Sequence, residues 1–139
     1  MRTLNDSIKA VVALRPIVVS GEAAAVRGPV IDRKDYEAAI IAVTSGTPGG
    51  APTRAGVDYK VQHCATATGS FADLTGATTQ VSGDAAYLVT GLSHIDVNLV
   101  AAERYIQLVA TPSFFEGSGP TMLIGAVCVL GEARVLPAA

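Results

Sequence analysis

The residues able to do chemistry in this chain are few and scattered. Ser93, His94 and Asp96 supply within four positions the three residue types of a serine hydrolase. That mechanism needs the three side chains to converge on one reacting atom. Near neighbours along an extended segment do not converge, and no Gly-x-Ser-x-Gly turn is present, so a polar turn between strands is expected here. His63 and Cys64 are adjacent, but consecutive strand residues point to opposite faces, so they cannot act on each other as a thiol–imidazole pair. A metal site built from His63, Cys64, His94 and Cys128 lacks the close ligand spacings that such sites use. Asp32 with Asp35, or Glu37 with Glu103, offer carboxylate pairs of the kind glycosidases employ, with solvated surface roles as the default. The Gly/Pro stretch Ser45–Gly56 has no Gly-Lys-Ser/Thr ending and opens no helix, which argues against a phosphate cradle. No catalytic, metal-ligating or cofactor-binding residue is therefore assigned. The expectation is a protein that is not an enzyme and needs no cofactor.

The composition points the same way. The chain has 139 residues, enough for one domain that closes a core without disulfides or metal. Half of the residues are apolar, yet there are only three Phe, four Tyr and no Trp. The core must come from Val, Ile, Leu and Ala. Charged residues make up 16%, below the roughly 25% of ordinary soluble domains. Such a sparse supply suggests that partners cover part of the apolar surface. The net charge is −2 with no Lys/Arg run, so nucleic-acid binding, which needs a basic stripe, is not expected. No apolar run reaches the ~20 residues that span a bilayer, and the N-terminus has no signal-peptide core. A cytoplasmic origin is expected. In that reducing setting Cys64 and Cys128 read as free thiols.

The elements that must position any site are strands. Tyr36–Thr44 is apolar on both of its alternating faces, as expected of a strand covered on both sides or one whose outer face meets a partner. Val57–Ala65 alternates, with Val57, Tyr59, Val61 and His63 inward and Asp58, Lys60, Gln62 and Cys64 outward. Arg104–Thr111 alternates again, and Thr121–Leu130 is a near-continuous apolar run that reads as central. Further strands are expected at Ile17–Val19, Val30–Asp32, Gln80–Val81, Ala86–Leu92 and Val97–Val100, with Thr66–Thr75 as a turn. Breaks fall about every ten residues, the spacing of sandwiches and barrels. The expected fold is an all-β antiparallel β-sandwich or jelly roll of about seven to eight strands. It is a single domain over residues 1–139, with an extended N-terminal arm at 1–16 that Pro16 ends.

Two regions hold apolar side chains with no obvious partner in the chain. One is the arm, with Leu4, Ile8, Val11 and Val12. The other is the segment Pro112–Pro120, read as a loop, with Phe114 and Phe115. Either one phenylalanine anchors the loop, or the pair forms a contact knob for a neighbouring molecule.

The order of local patterns resembles small structural proteins of tailed bacteriophages. The opening Met1–Pro16 is similar to their N-terminal arm. Val30-Ile31-Asp32 followed by Tyr36–Ile40 is similar to an acidic residue leading into an apolar strand. Val61-Gln62-His63 with Gly69-Ser70-Phe71-Ala72-Asp73 is similar to a strand and turn of that group. Ala102–Ile106 is similar to its Arg-Tyr-Ile strand, and Gly125–Gly131 with Pro137 to its ending. The chain departs from the pattern at His63-Cys64-Ala65, where an acidic turn is usual. The resemblance implies a virion component, specifically a capsid decoration (cement) protein that binds the assembled head shell. It implies a place on the capsid surface after synthesis in a bacterial cytoplasm. The partners would be the major capsid protein and further copies of the chain, a trimer being favoured. A tail or head–tail joining component and a carbohydrate- or receptor-binding sandwich are the alternatives.

Overall fold

Alternating β-branched and small apolar residues give this chain strands wherever one side can be buried. The computed structural model describes residues 7–21, 25–84 and 92–133. Among them lie nine strands: β1 (Lys9–Ser20), β2 (Val26–Arg27), β3 (Ile31–Asp32), β4 (Tyr36–Ser45), β5 (Arg54–Cys64), β6 (Ala72–Asp84), β7 (Leu92–Asn98), β8 (Tyr105–Phe115) and β9 (Thr121–Ala133). A short 3-10 turn, Leu99–Ala101, is capped by the Asn98 side chain, which accepts from the Val100 N–H.

All pairings are antiparallel, in two sheets. One has the order β1-β9-β4-β7. The other has β2-β8-β5-β6, with β3 also on β8. β2 and β3 together act as one interrupted edge strand, which leaves eight strand positions. Consecutive positions alternate between the sheets except for the β5–β6 pair. That is a jelly roll, one of the two forms expected from the sequence. The core lies between the sheets. Ile41 and Val43 of β4 and Met122, Ile124, Cys128 and Leu130 of β9 meet Val57, Tyr59 and Val61 of β5 and Ile106 and Leu108 of β8. The Tyr59 hydroxyl, deep in this core, is satisfied internally, 3.2 Å from Ser45 Oγ.

Several expectations need correction. Residues 9–16 are not an arm. They form the first two-thirds of β1, paired with β9 from Lys9↔Leu130 onward, and they bury Ala13 and Leu14. The ladder supplies the backbone partners that a free arm would lack. Pro16 is tolerated because β1 is an edge strand and the register slips on either side of Leu14. Leu4 lies outside the described residues. Phe114 and Phe115 are not in a loop either. β8 continues through both, opposite Ala55 and Arg54 of β5. Ser93–Asp96 is strand, not turn. The expected strand Ala86–Leu92 falls mostly outside the described residues. Finally, the expected turn Thr66–Thr75 gives way at Ala72 to a 13-residue strand, β6. Its register jumps from Lys60↔Thr78 to Gln62↔Asp73, so Leu74–Ala77 bulge out of the ladder, with Gly76 at φ +82.

Candidate functional site

The two sheets cover one core but present opposite outer faces. On the five-stranded sheet the exposed outward residues are mostly polar, Phe115 apart, and a group of them engage one another. Arg27 Nη1 donates to Gln62 Oε1, Gln62 Nε2 donates to Asp73 Oδ1 at 2.8 Å, and Lys60 Nζ lies 3.1 Å from the same carboxylate. The hydrogen bonds from Gln62 and Lys60 hold the Asp73 carboxyl below its ordinary value. Thr78, Gln80, Asp58 and Thr111 continue this face, exposed to solvent.

The outward residues of β1, β9 and β4 in the four-stranded sheet are mostly apolar. Its register builds rows across the strands. One row runs Ala10 (β1), Val129 (β9), Ile40 (β4), Asp96 (β7). The next runs Val12, Val127, Ala42, His94. Further along, Val18 stands opposite Leu123. In the first two rows the polar groups stand on β7; elsewhere on the face Thr44 of β4, opposite Gly125, and the pair Ser20 and Thr121 at the end of β1 and β9 are polar. Val12, Val18, Ile40, Leu123 and Val127 are all exposed, Val18 at 63% and Val127 at 48%. Exposed Val and Ile scattered singly need no explanation, whereas a contiguous patch does. The three strands β1, β9 and β4, at ~4.8 Å spacing and about nine residues long, make a flat surface of roughly 400 Å². One end of it sinks into a groove of about 570 Å³ over Ala38 and Gly131, bounded by Ile8, Ile40, Val100 and Val129.

The residues singled out from the sequence do not converge on one place. Ile8 and Val12 belong to the apolar face, and Val11 packs partly into the core. Phe114 packs against the core from the end of β8, which is the anchor reading of that residue. Phe115, 59% exposed, lies on the outer side of the other sheet, beside Arg54 and Ser113. Residues of the face that were not singled out are Val18, Ile40, Leu123 and Val127. Their signal was present in the two apolar faces of Tyr36–Thr44 and in the unbroken run Thr121–Leu130.

The chemically capable residues are likewise apart. Ser93 points inward, with its Oγ 3.2 Å from Thr79 Oγ1, while His94 and Asp96 lie on the outer face with 3.8 Å between His94 Nε2 and the Asp96 carboxylate. Strand alternation thus separates the serine from the other two. His63 Nδ1 accepts the Glu103 N–H. Cys64, expected on a polar outer face, is buried, because the turn after β5 folds back over it and brings Thr66 Oγ1 to 3.9 Å from its Sγ. Cys128 faces the core, and burial pushes its thiol up to about 12. Among the described residues no group of three or more His, Cys, Asp or Glu could hold a metal ion. Asp32 makes two hydrogen bonds with Arg104, at 3.1 and 2.9 Å, which hold its carboxyl below the ordinary value. Arg33 meanwhile donates to the Glu103 and Ala102 carbonyls. These contacts tie β3 to the segment before β8 and serve the fold.

No protein-family model matches the sequence, and no curated protein matches it. Solved structures share its fold. VP2 of infectious bursal disease virus, in its subviral particle, superposes with a TM-score of 0.56 over 91% of this chain and 33% of the viral chain, at 8% identity. Tripeptidyl peptidase 2 superposes with 0.51 over 94% of this chain and 10% of its own, at 7% identity. The chain thus spans about a third of the viral protein and a tenth of the peptidase. Likeness at such identities shows the β-sandwich alone. A fold found both in a virus particle and in a peptidase does not by itself decide a function.

Proposed function

We propose that this protein is a virion structural component, a decoration module that docks on the assembled head shell through the outer face of its four-stranded sheet. The observation that carries the reading is the contrast between the two outer faces. One sheet exposes a mostly polar face on which Arg27, Gln62, Lys60 and Asp73 are bonded to one another. The other leaves Val12, Val18, Ile40, Leu123 and Val127 in water, an arrangement that is favourable only when something covers it. The jelly roll supports this by analogy, since VP2 uses one in a particle. The resemblance of the sequence to small phage structural proteins points the same way. In this reading the protein catalyses nothing.

The size of the face suits a shell better than a single partner. A patch of roughly 400 Å² is about half of the ~800 Å² that each partner contributes to a standard stable interface. Burying the exposed half of five aliphatic side chains contributes roughly 4–7 kcal/mol. The loss of rigid-body freedom takes back a comparable amount. One contact is therefore weak. Oligomerisation, with a trimer favoured, and the composite sites of a shell would make it strong by raising the effective concentration of each further contact. Carbohydrate binding has less support. Of the aromatic residues whose exposure is described, only Phe115 is largely exposed, and it lies away from the apolar face.

The test is cosedimentation of the tagged protein with assembled phage heads and with unassembled capsid subunits. Binding to heads at least about a hundredfold tighter than to subunits is expected, the low end of what multivalency adds. Equal affinity for both, or no association with heads, would overturn the reading.

A further inference from the structure

The groove at the end of the apolar face has a chemistry of its own. Its floor is Ala38 and Gly131, two small residues side by side in the β4–β9 ladder, and Ile8, Ile40, Val100 and Val129 stand around them. Small residues between larger ones leave a dent the size of a side chain. Asp96 and Glu132, both exposed, also line the groove, and no Lys, Arg or His does. Glu37 lines it as well. The pairs Tyr36↔Ala133 and Ala38↔Gly131 place Glu37 and Glu132 opposite each other across the ladder. Like charges facing each other across strands are unfavourable. Glu37 has an interaction within the chain, so the carboxylates a ligand would meet are Asp96 and Glu132. Asp96 has His94 at 3.8 Å, an exposed contact that is an ion pair only when the imidazole is protonated.

We infer that this groove receives a short segment of the shell protein that sets a branched aliphatic side chain over Ala38 and Gly131 and a lysine or arginine against Asp96 and Glu132. The inference rests on the apolar face being the docking surface, and it names what the face selects. The apolar floor supplies most of the affinity. The carboxylates supply the discrimination, because an acidic segment would set like charges together in a partly dehydrated site.

The experiment uses the full chain and two synthetic probes, acetyl-Arg-Val-Leu-Val-Arg-amide and acetyl-Glu-Val-Leu-Val-Glu-amide, titrated while methyl resonances are recorded by NMR. The basic peptide should shift the methyls of Ile8, Ile40, Val100 and Val129, with a dissociation constant in the millimolar range or below. The acidic peptide should bind at least about threefold more weakly, the size of one exposed ion pair. Asp96→Asn with Glu132→Gln should reduce the difference between the peptides to within experimental error. Ile40→Gln should weaken both. Unchanged methyl resonances elsewhere in each variant show that the fold is kept. Absence of shifts, shifts elsewhere on the molecule, or equal binding of both peptides by the unaltered protein would overturn the inference. If the peptides fail while heads still bind, the groove chemistry is wrong and the shell reading stands. If the basic peptide binds in the groove and heads do not, the shell protein is the wrong partner.

Discussion

Replacing Leu123 and Val127 together by glutamine separates docking from folding. Both lie on the central strand β9, point outward and are about half exposed. Their neighbours across the ladder are Val18 for Leu123, and Val12 and Ala42 for Val127. In the free protein each glutamine amide reaches water, so the double change should cost only about 1 kcal/mol, typical of partly exposed sites. That corresponds to a melting temperature lower by a few degrees, roughly 2–4 °C for a domain near this size. Against a shell the arithmetic differs. The apolar burial lost is roughly 0.75–1.5 kcal/mol at each position. Each amide pressed into apolar contact without a partner costs about 1–3 kcal/mol more. The docked state therefore loses about 3 kcal/mol or more per copy, at least a hundredfold in dissociation constant. The assay is cosedimentation with assembled heads, run beside a thermal melt. Thr78→Gln with Thr111→Gln, on the polar face, serves as the matched control and should bind normally. If the β9 variant melts within a few degrees of the parent and still binds heads within about threefold, the reasoning fails.

Other expectations follow from single contacts. Gly28→Ala should destabilise by about 3 kcal/mol or more, because a Cβ there would fall on the Ala13 carbonyl oxygen, and backbone cannot give way; Gly76→Ala, with open space but φ +82, should cost only about 1–2 kcal/mol, and urea unfolding compares the two. Cys128→Ser should cost about 1–3 kcal/mol through a buried hydroxyl, and the native Cys128 thiol, held at about 12, should resist iodoacetamide at pH 8 until the protein unfolds, as read by mass spectrometry. Asp32 has its carboxyl held below the ordinary 3.8, chiefly by the Arg104 hydrogen bonds, so its contribution is present above that value and is lost as pH falls through the folded value. Asp32→Asn should therefore lower the melting temperature at pH 7 more than at pH 3, and an equal drop at both would refute the assignment.

Much of this architecture was legible in the residues. β4, β5, β8 and β9 announce themselves because one or both alternating faces are apolar and the ladder follows that alternation without interruption over most of their length. Beyond the expected Gln80–Val81, the rest of β6 is hidden for a physical reason. Its Leu74–Ala77 bulge breaks the period of two, and its composition of Thr, Gly and Gln reads as turn. Residues 9–16 read as an arm because Pro16 signals an interruption, whereas an edge strand with slipped register can hold a proline. The jelly-roll order itself rests on pairings such as Val12↔Val127, more than a hundred residues apart, which no local pattern encodes. The docking face was half visible. A strand with two apolar faces suggests an unmet partner, but only the register shows that Ile40, Val127 and Val12 stand side by side while Phe115 belongs to the other sheet.

The most direct test of the central claim is a cryo-electron microscopy map of phage heads decorated with the full chain. The claim is that the apolar face of the four-stranded sheet meets the shell. The map should place β1, β9 and β4 against the capsid, with Val12, Leu123 and Val127 buried at the contact, and the Lys60–Asp73 face turned to solvent. A map with the five-stranded sheet against the shell and Val127 in open water, or heads that carry no added density, would contradict it.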